Sequence, residues 1–127
     1  MKQLLVRVLA IGLAGSAGAI ARYLVAIFFG WLTNIRFPLG TLVINISGSL
    51  FLGWFLAHIA VRPVSDTTRL AIGVGFVGAY TTFSTYMFES NKLIDDGAGI
   101  EAMVNLFGSL ILGIAAVRLG MWLARLD

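Results

Sequence analysis

Four apolar stretches, each long enough to cross a bilayer, take up almost all of this 127-residue chain. They run over Leu4–Gly30, Pro38–Val61, Thr68–Lys92 and Ile100–Ala124. Each meets the roughly 20 residues that a membrane-spanning helix needs. Lipid offers backbone groups no hydrogen bonds, so each span must satisfy its own, and helices follow. The connections, around Asn34–Phe37, Arg62–Thr67 and Leu93–Gly99, are short, which makes consecutive helices antiparallel neighbours. The expected fold is all-α: one four-helix transmembrane domain over residues 1–127. Only 12% of the residues are charged, against about a quarter in soluble domains, so no large aqueous domain is attached. The N-terminus has the basic start and small residues of a signal peptide. Its apolar run continues past Arg22 to Trp31, however, and reads as the first span.

The polar residues narrow the function. There is no cysteine, which excludes disulfides and thiolate metal sites. His58 is the single histidine, and it reads as an interfacial side chain. No nucleophile–base pair is evident, so the chain is not expected to be an enzyme. The basic residues are scattered at span ends, a topology signal and not a nucleic-acid surface. Lys2, Arg7, Arg62, Arg69, Arg118 and Arg125 fall on the side of the termini, and Arg36 and Lys92 on the other. That excess favours cytoplasmic termini.

The third span is the unusual one. Residues Gly73–Glu89 read GVGFVGAYTTFSTYMFE, with three glycines followed closely by Thr81, Thr82, Ser84 and Thr85. Glycines loosen a helix, and hydroxyls bond backbone groups that a broken helix frees. The expectation is a helix interrupted near its middle, around Gly78–Thr82. The alternative is a small-residue face for close helix packing. Phe83 and Tyr86 stand three residues apart, on one face if the helix resumes. They offer either positively polarised ring edges or core packing. Glu89, one turn on, reads as a structural partner at the membrane boundary. In the second span Thr41, Asn45 and Ser49 share a face. Asn45 offers two N–H donors without a charge, either to an ion or to a neighbouring helix. Asn105 and Ser109 form a weaker stripe in the fourth span. Arg22 either draws an anion into a wet vestibule or snorkels to the interface.

Together these groups are mostly uncharged donors, with almost no carboxylate away from the span ends. Donors favour an anion, and their neutrality lets it leave again, as conduction requires. One small four-helix chain encloses little space, so a path between copies, most simply in a homodimer, is expected.

Three blocks carry a resemblance. GSAGAIARY (Gly15–Tyr23), GTLVINISGSLFLG (Gly40–Gly53) and GFVGAYTTFSTYMFE (Gly75–Glu89) resemble the signature blocks of the small bacterial fluoride channels (Fluc, also called CrcB). The resemblance implies an antiparallel, dual-topology homodimer in the bacterial inner membrane, with two pores at its interface. It implies passive, fluoride-selective export that confers fluoride resistance. It further implies that Asn45 is a pore-lining donor and Phe83 the first ring of a phenylalanine box. Gly78 and Thr81 would lend carbonyls to a central structural sodium ion. Arg22 would stand at the vestibule, and Ser84, Thr85 and Ser109 would place hydroxyls near the anion. The second box position is Tyr86 where the family commonly has Phe, which adds a hydroxyl at the rim. The Lys/Arg excess is larger than dual topology calls for, and the signature blocks outweigh it. Two other readings compete. A small multidrug-type antiporter needs an embedded carboxylate in the first span, which this sequence lacks. A non-conducting scaffold subunit predicts no ion flux.

Overall fold

The computed structural model describes residues 1–33 and 35–126. Asn34, at the head of the first connection, lies outside them. All regular structure among the described residues is helical. Helix α1 spans Lys2–Leu32 and α2 spans Leu39–Val61. Helix α3 covers residues 66–80, built from Asp66–Leu70, a wide π-type stretch at Ala71–Val77, and Gly78–Tyr80. Helix α4 spans Phe83–Asp95. Helix α5 runs over Gly99–Leu123 with a second wide stretch at Val104–Gly108. Three helices (α1, α2 and α5) are each long and apolar enough to cross a membrane. The stretch expected as the third span is divided between α3 and α4.

The expected interruption is present, at the C-terminal edge of the expected window Gly78–Thr82. Gly78 stays helical at φ −61, ψ −34. The chain leaves the helix at Thr81 (φ −77, ψ 158) and Thr82 (φ −149, ψ 117). Thr82 then caps α4, its Oγ1 accepting from the Thr85 N–H at 3.3 Å, as hydroxyl residues at this position do. Ser65 does the same for α3 through the Thr68 N–H at 3.1 Å. Gly97 closes the α4–α5 turn at φ +73, a left-handed conformation that glycine adopts without a Cβ penalty.

The glycines set the packing. Arg7 meets Asp66 and Gly15 meets Ala79, while Ser49 lies beside Gly113 and Gly53 beside Val117, so α1 runs parallel to α3 and α2 parallel to α5. A Cβ at Gly75 would stand 2.7 Å from the Ile11 carbonyl oxygen, and one at Gly18 would run into the Phe76 carbonyl. Across α2 and α5, a Cβ at Gly53 would meet the Val117 carbonyl and one at Gly120 the Leu50 carbonyl. Backbone thus lies on backbone, the close approach that small residues permit inside membranes. At one end Arg7 pairs with Asp66 at 3.0 Å, and Arg69 lies 3.7 Å from the same carboxylate. Near the other end Leu93, Ala98 and Ala102 form a small buried cluster between α4 and α5.

Candidate ion-path groove

The break between α3 and α4 is held open from α2. Asn45 Nδ2 donates to the Thr82 carbonyl at 3.0 Å, and the Thr82 N–H donates back to Asn45 Oδ1 at 2.8 Å. One side-chain amide therefore satisfies both polar groups of the residue at the break, which lipid would otherwise leave unpaired at a cost of several kcal/mol each. One N–H of the Asn45 amide remains beyond this pairing. The approach depends on Gly48, where a Cβ would strike the Thr81 methyl and stand 3.3 Å from the Tyr80 ring. Beside it the Ser47 and Tyr80 hydroxyls lie 2.9 Å apart.

Along this junction runs a groove of about 540 Å³ between α2, the break, α4 and α5. Asn45 and Ser49 line it from α2, Phe83 and Tyr86 from α4, and Ser109 from α5, with Thr81 and Thr82 at the break. The groove thus brings together Asn45, Phe83, Tyr86 and Ser109 from three helices distant in sequence. The Phe83 and Tyr86 rings meet edge to face, 6.1 Å apart at 64°. Phe83 is 73% exposed, so its ring is presented outward from a single copy of the chain. No Asp or Glu lines the groove among the described residues.

Tyr86 is anchored at its far end. Its hydroxyl donates to the Leu106 carbonyl at 2.6 Å, within the wide turn Val104–Gly108. Such turns displace the ordinary helical ladder. Behind it a chain of bonds ties α4 to α5. Ser109 donates to Asn105 Oδ1 at 3.3 Å, Asn105 Nδ2 to Ser90 Oγ at 2.9 Å, and Ser90 to the Tyr86 carbonyl at 2.7 Å. Asn105 is 1% exposed, so this network is internal and sets the register of the aromatic pair against Ser109.

The other expected site residues fall elsewhere. Ser84 and Thr85 are exposed at the start of α4 and do not line the groove. They belong to the hydroxyl cluster at the cap, with Thr82 Oγ1 donating to Thr85 Oγ1 at 3.0 Å and lying 3.4 Å from Ser84 Oγ. Arg22 sits half-buried on α1, away from the groove lining. Gly78 is exposed and outside the lining, whereas Thr81 lines it. Glu89 shares a second cavity of about 340 Å³ with Arg36, Lys92 and Asp96. Ser90 has no signal in the sequence, whereas Thr82 reads there only as a hydroxyl at the break and Arg118 only as a topology charge. A hydroxyl three residues before Thr85 was the available signal for Thr82 as a cap.

Residues 9–121 match the family described as CrcB-like protein, Camphor Resistance (CrcB). The chain belongs to the CrcB family. Related proteins agree with the assignment. The fluoride-specific ion channel FluC of Trichormus variabilis is 43% identical over 120 residues, covering 93% of this chain and 88% of that protein. That of Chlorobium chlorochromatii is 42% identical over 120 residues, covering 93% and 92%. FluC 2 of Moorella thermoacetica is 44% identical over 114 residues, covering 90% and 92%. These names are those of channels and not of enzymes. With its three membrane-length helices, this CrcB-family chain is a multi-pass membrane protein.

Proposed function

We propose that this chain is a fluoride-selective channel that passively exports fluoride from the bacterial cytoplasm across the inner membrane. The observation that carries the proposal is the groove that gathers Asn45, Phe83, Tyr86 and Ser109 with no carboxylate among its described lining residues. Fluoride is small and strongly hydrated, and removing its water is costly unless other donors replace it. The free Asn45 N–H and the Ser109 hydroxyl offer such donors in part, and the ring edges of Phe83 and Tyr86 present positive polarity without a trapping charge. Ser84 and Thr85 would supply hydroxyls at the cap and Arg22 a cation at the vestibule. Hydrofluoric acid that crosses the membrane dissociates at cytoplasmic pH. A negative-inside voltage then drives the anion out, by about 2.3 kcal/mol per charge per 100 mV.

The path is completed by a second copy. The outward-facing Phe83 ring and the open side of the groove support a wall contributed by a partner, most simply in an antiparallel, dual-topology homodimer with two pores. A structural sodium ion fits the residues at the break. The Thr82 N–H goes to Asn45, so the Gly78 carbonyl loses the donor that a continuous helix would give it. The Thr81 carbonyl follows at an extended residue. Carbonyls at a helix C-terminus carry partial negative charge. A sodium ion there would neutralise them and tie the two copies together.

The antiporter reading needs an embedded carboxylate in the first span, and Lys2–Leu32 holds no Asp or Glu. The test is efflux from liposomes containing the purified chain, followed with a fluoride electrode beside a chloride control. Fluoride efflux far faster than chloride efflux is expected. Equal rates would refute selectivity, and no flux of either ion would favour the scaffold reading.

A further inference from the structure

Arg118 lines the same groove and is the one charged residue among its described lining residues. By its place in the sequence it is only one of several basic residues near a span end. Helix α5 rises about 1.5 Å per residue, which sets Arg118 about 13 Å along the helix from Ser109 and about 7 Å short of its end at Leu123. Ser49, Leu52, Gly113 and Val117 line the groove between these levels. Arg118 therefore stands at one mouth, with the aromatic pair and Ser109 deeper along. It is exposed and makes no ion pair among the described residues, whereas Arg7 and Arg69 both share Asp66.

We propose that Arg118 is the anion-collecting group at this mouth of the groove, and that it sets how fast fluoride is captured at low ionic strength. The proposal rests on the channel reading above and deepens it. A cation at the rim of a cleft with low-dielectric walls concentrates anions and raises their capture rate. Basic side chains play that part in anion pores. At the rim it stays hydrated, and the neutral donors further in do not hold the ion.

The chain has no cysteine, so Arg118→Cys places a single modifiable thiol at the mouth. The measurement is fluoride efflux from liposomes containing the full-length protein. At about 0.01 M ionic strength, where screening extends over about 30 Å, Arg118→Cys is expected to lower the rate at least threefold. A cationic methanethiosulfonate reagent should restore the rate, and an anionic one should lower it further. At about 1 M, where the screening length is about 3 Å, the differences should shrink. Arg118→Lys, which keeps the charge, should retain most of the flux. The proposal is overturned if Arg118→Cys and both adducts conduct like the parent at low salt. It is equally overturned if Arg118→Lys loses as much as Arg118→Cys, or if the cationic reagent restores nothing. A parent protein that passes no fluoride overturns the channel reading and this proposal together.

Discussion

Replacing Phe83 with isoleucine is expected to cut fluoride efflux at least tenfold while leaving the protein folded. Isoleucine keeps an apolar side chain at the same position and removes only the ring. Phe83 is 73% exposed in the single chain, so little intramolecular packing depends on it. What is lost is the polarised edge beside Tyr86, at 6.1 Å. A tenfold slower rate corresponds to ~1.4 kcal/mol of barrier, within the range that aromatic contacts supply beyond burial. Tyr86→Phe is the informative comparison. It keeps a ring and gives up the bond to the Leu106 carbonyl, worth about 1 kcal/mol of stability. Its main effect should be a lower unfolding midpoint, with flux within a few-fold of the parent. Electrode traces and thermal melts of both variants in detergent check this. An isoleucine variant that conducts like the parent would remove the ring edge from the account.

Asn45→Asp should be more severe. Its acceptor oxygen is kept for the Thr82 N–H, now 2.8 Å from Oδ1. The donor to the Thr82 carbonyl is lost, and two oxygens then face each other. Leaving that carbonyl unpaired costs about 1–3 kcal/mol. The larger effect is on the ion. Two like charges about 4 Å apart repel by ~4 kcal/mol at an effective dielectric constant of about 20. Fluoride flux should therefore fall at least a hundredfold, with a moderate loss of stability. Flux at a tenth of the parent rate or better would show that the anion does not pass close to Asn45.

The spans were legible because lipid imposes a length and forbids unpaired backbone. The helical stretches fall within about one turn of the four expected bounds, three of them long and apolar enough to cross a membrane, and the break follows from the hydroxyl cluster. The break falls at the C-terminal edge of the expected window Gly78–Thr82, at Thr81 and Thr82, and the upstream glycines are not where the helix opens. Gly75 serves the contact with Ile11, Gly78 remains helical, and the chain actually turns where Asn45 can pair with Thr82. The role of Asn45 was half legible. Both of its readings, donor for an ion and bridge between helices, draw on one amide, and the bridge occupies the carbonyl oxygen and one N–H. The bond from Tyr86 to Leu106 and the chain Ser109–Asn105–Ser90 were not legible. They depend on how α4 is rotated against α5, and the wide turn at Val104–Gly108 shifts that register. Arg118 read as a topology charge for the same reason. Only the position of α2 beside α5 makes its face of the helix the wall of a groove.

A crystal structure of the purified protein grown in fluoride tests most directly the central claim, that the groove is an anion path between two copies. It should show Asn45, Phe83 and Ser109 along a seam between two copies, with anion density beside the ring edges. Asn45 and Phe83 facing the acyl chains, or sealed in a dry core away from any subunit contact, would contradict it.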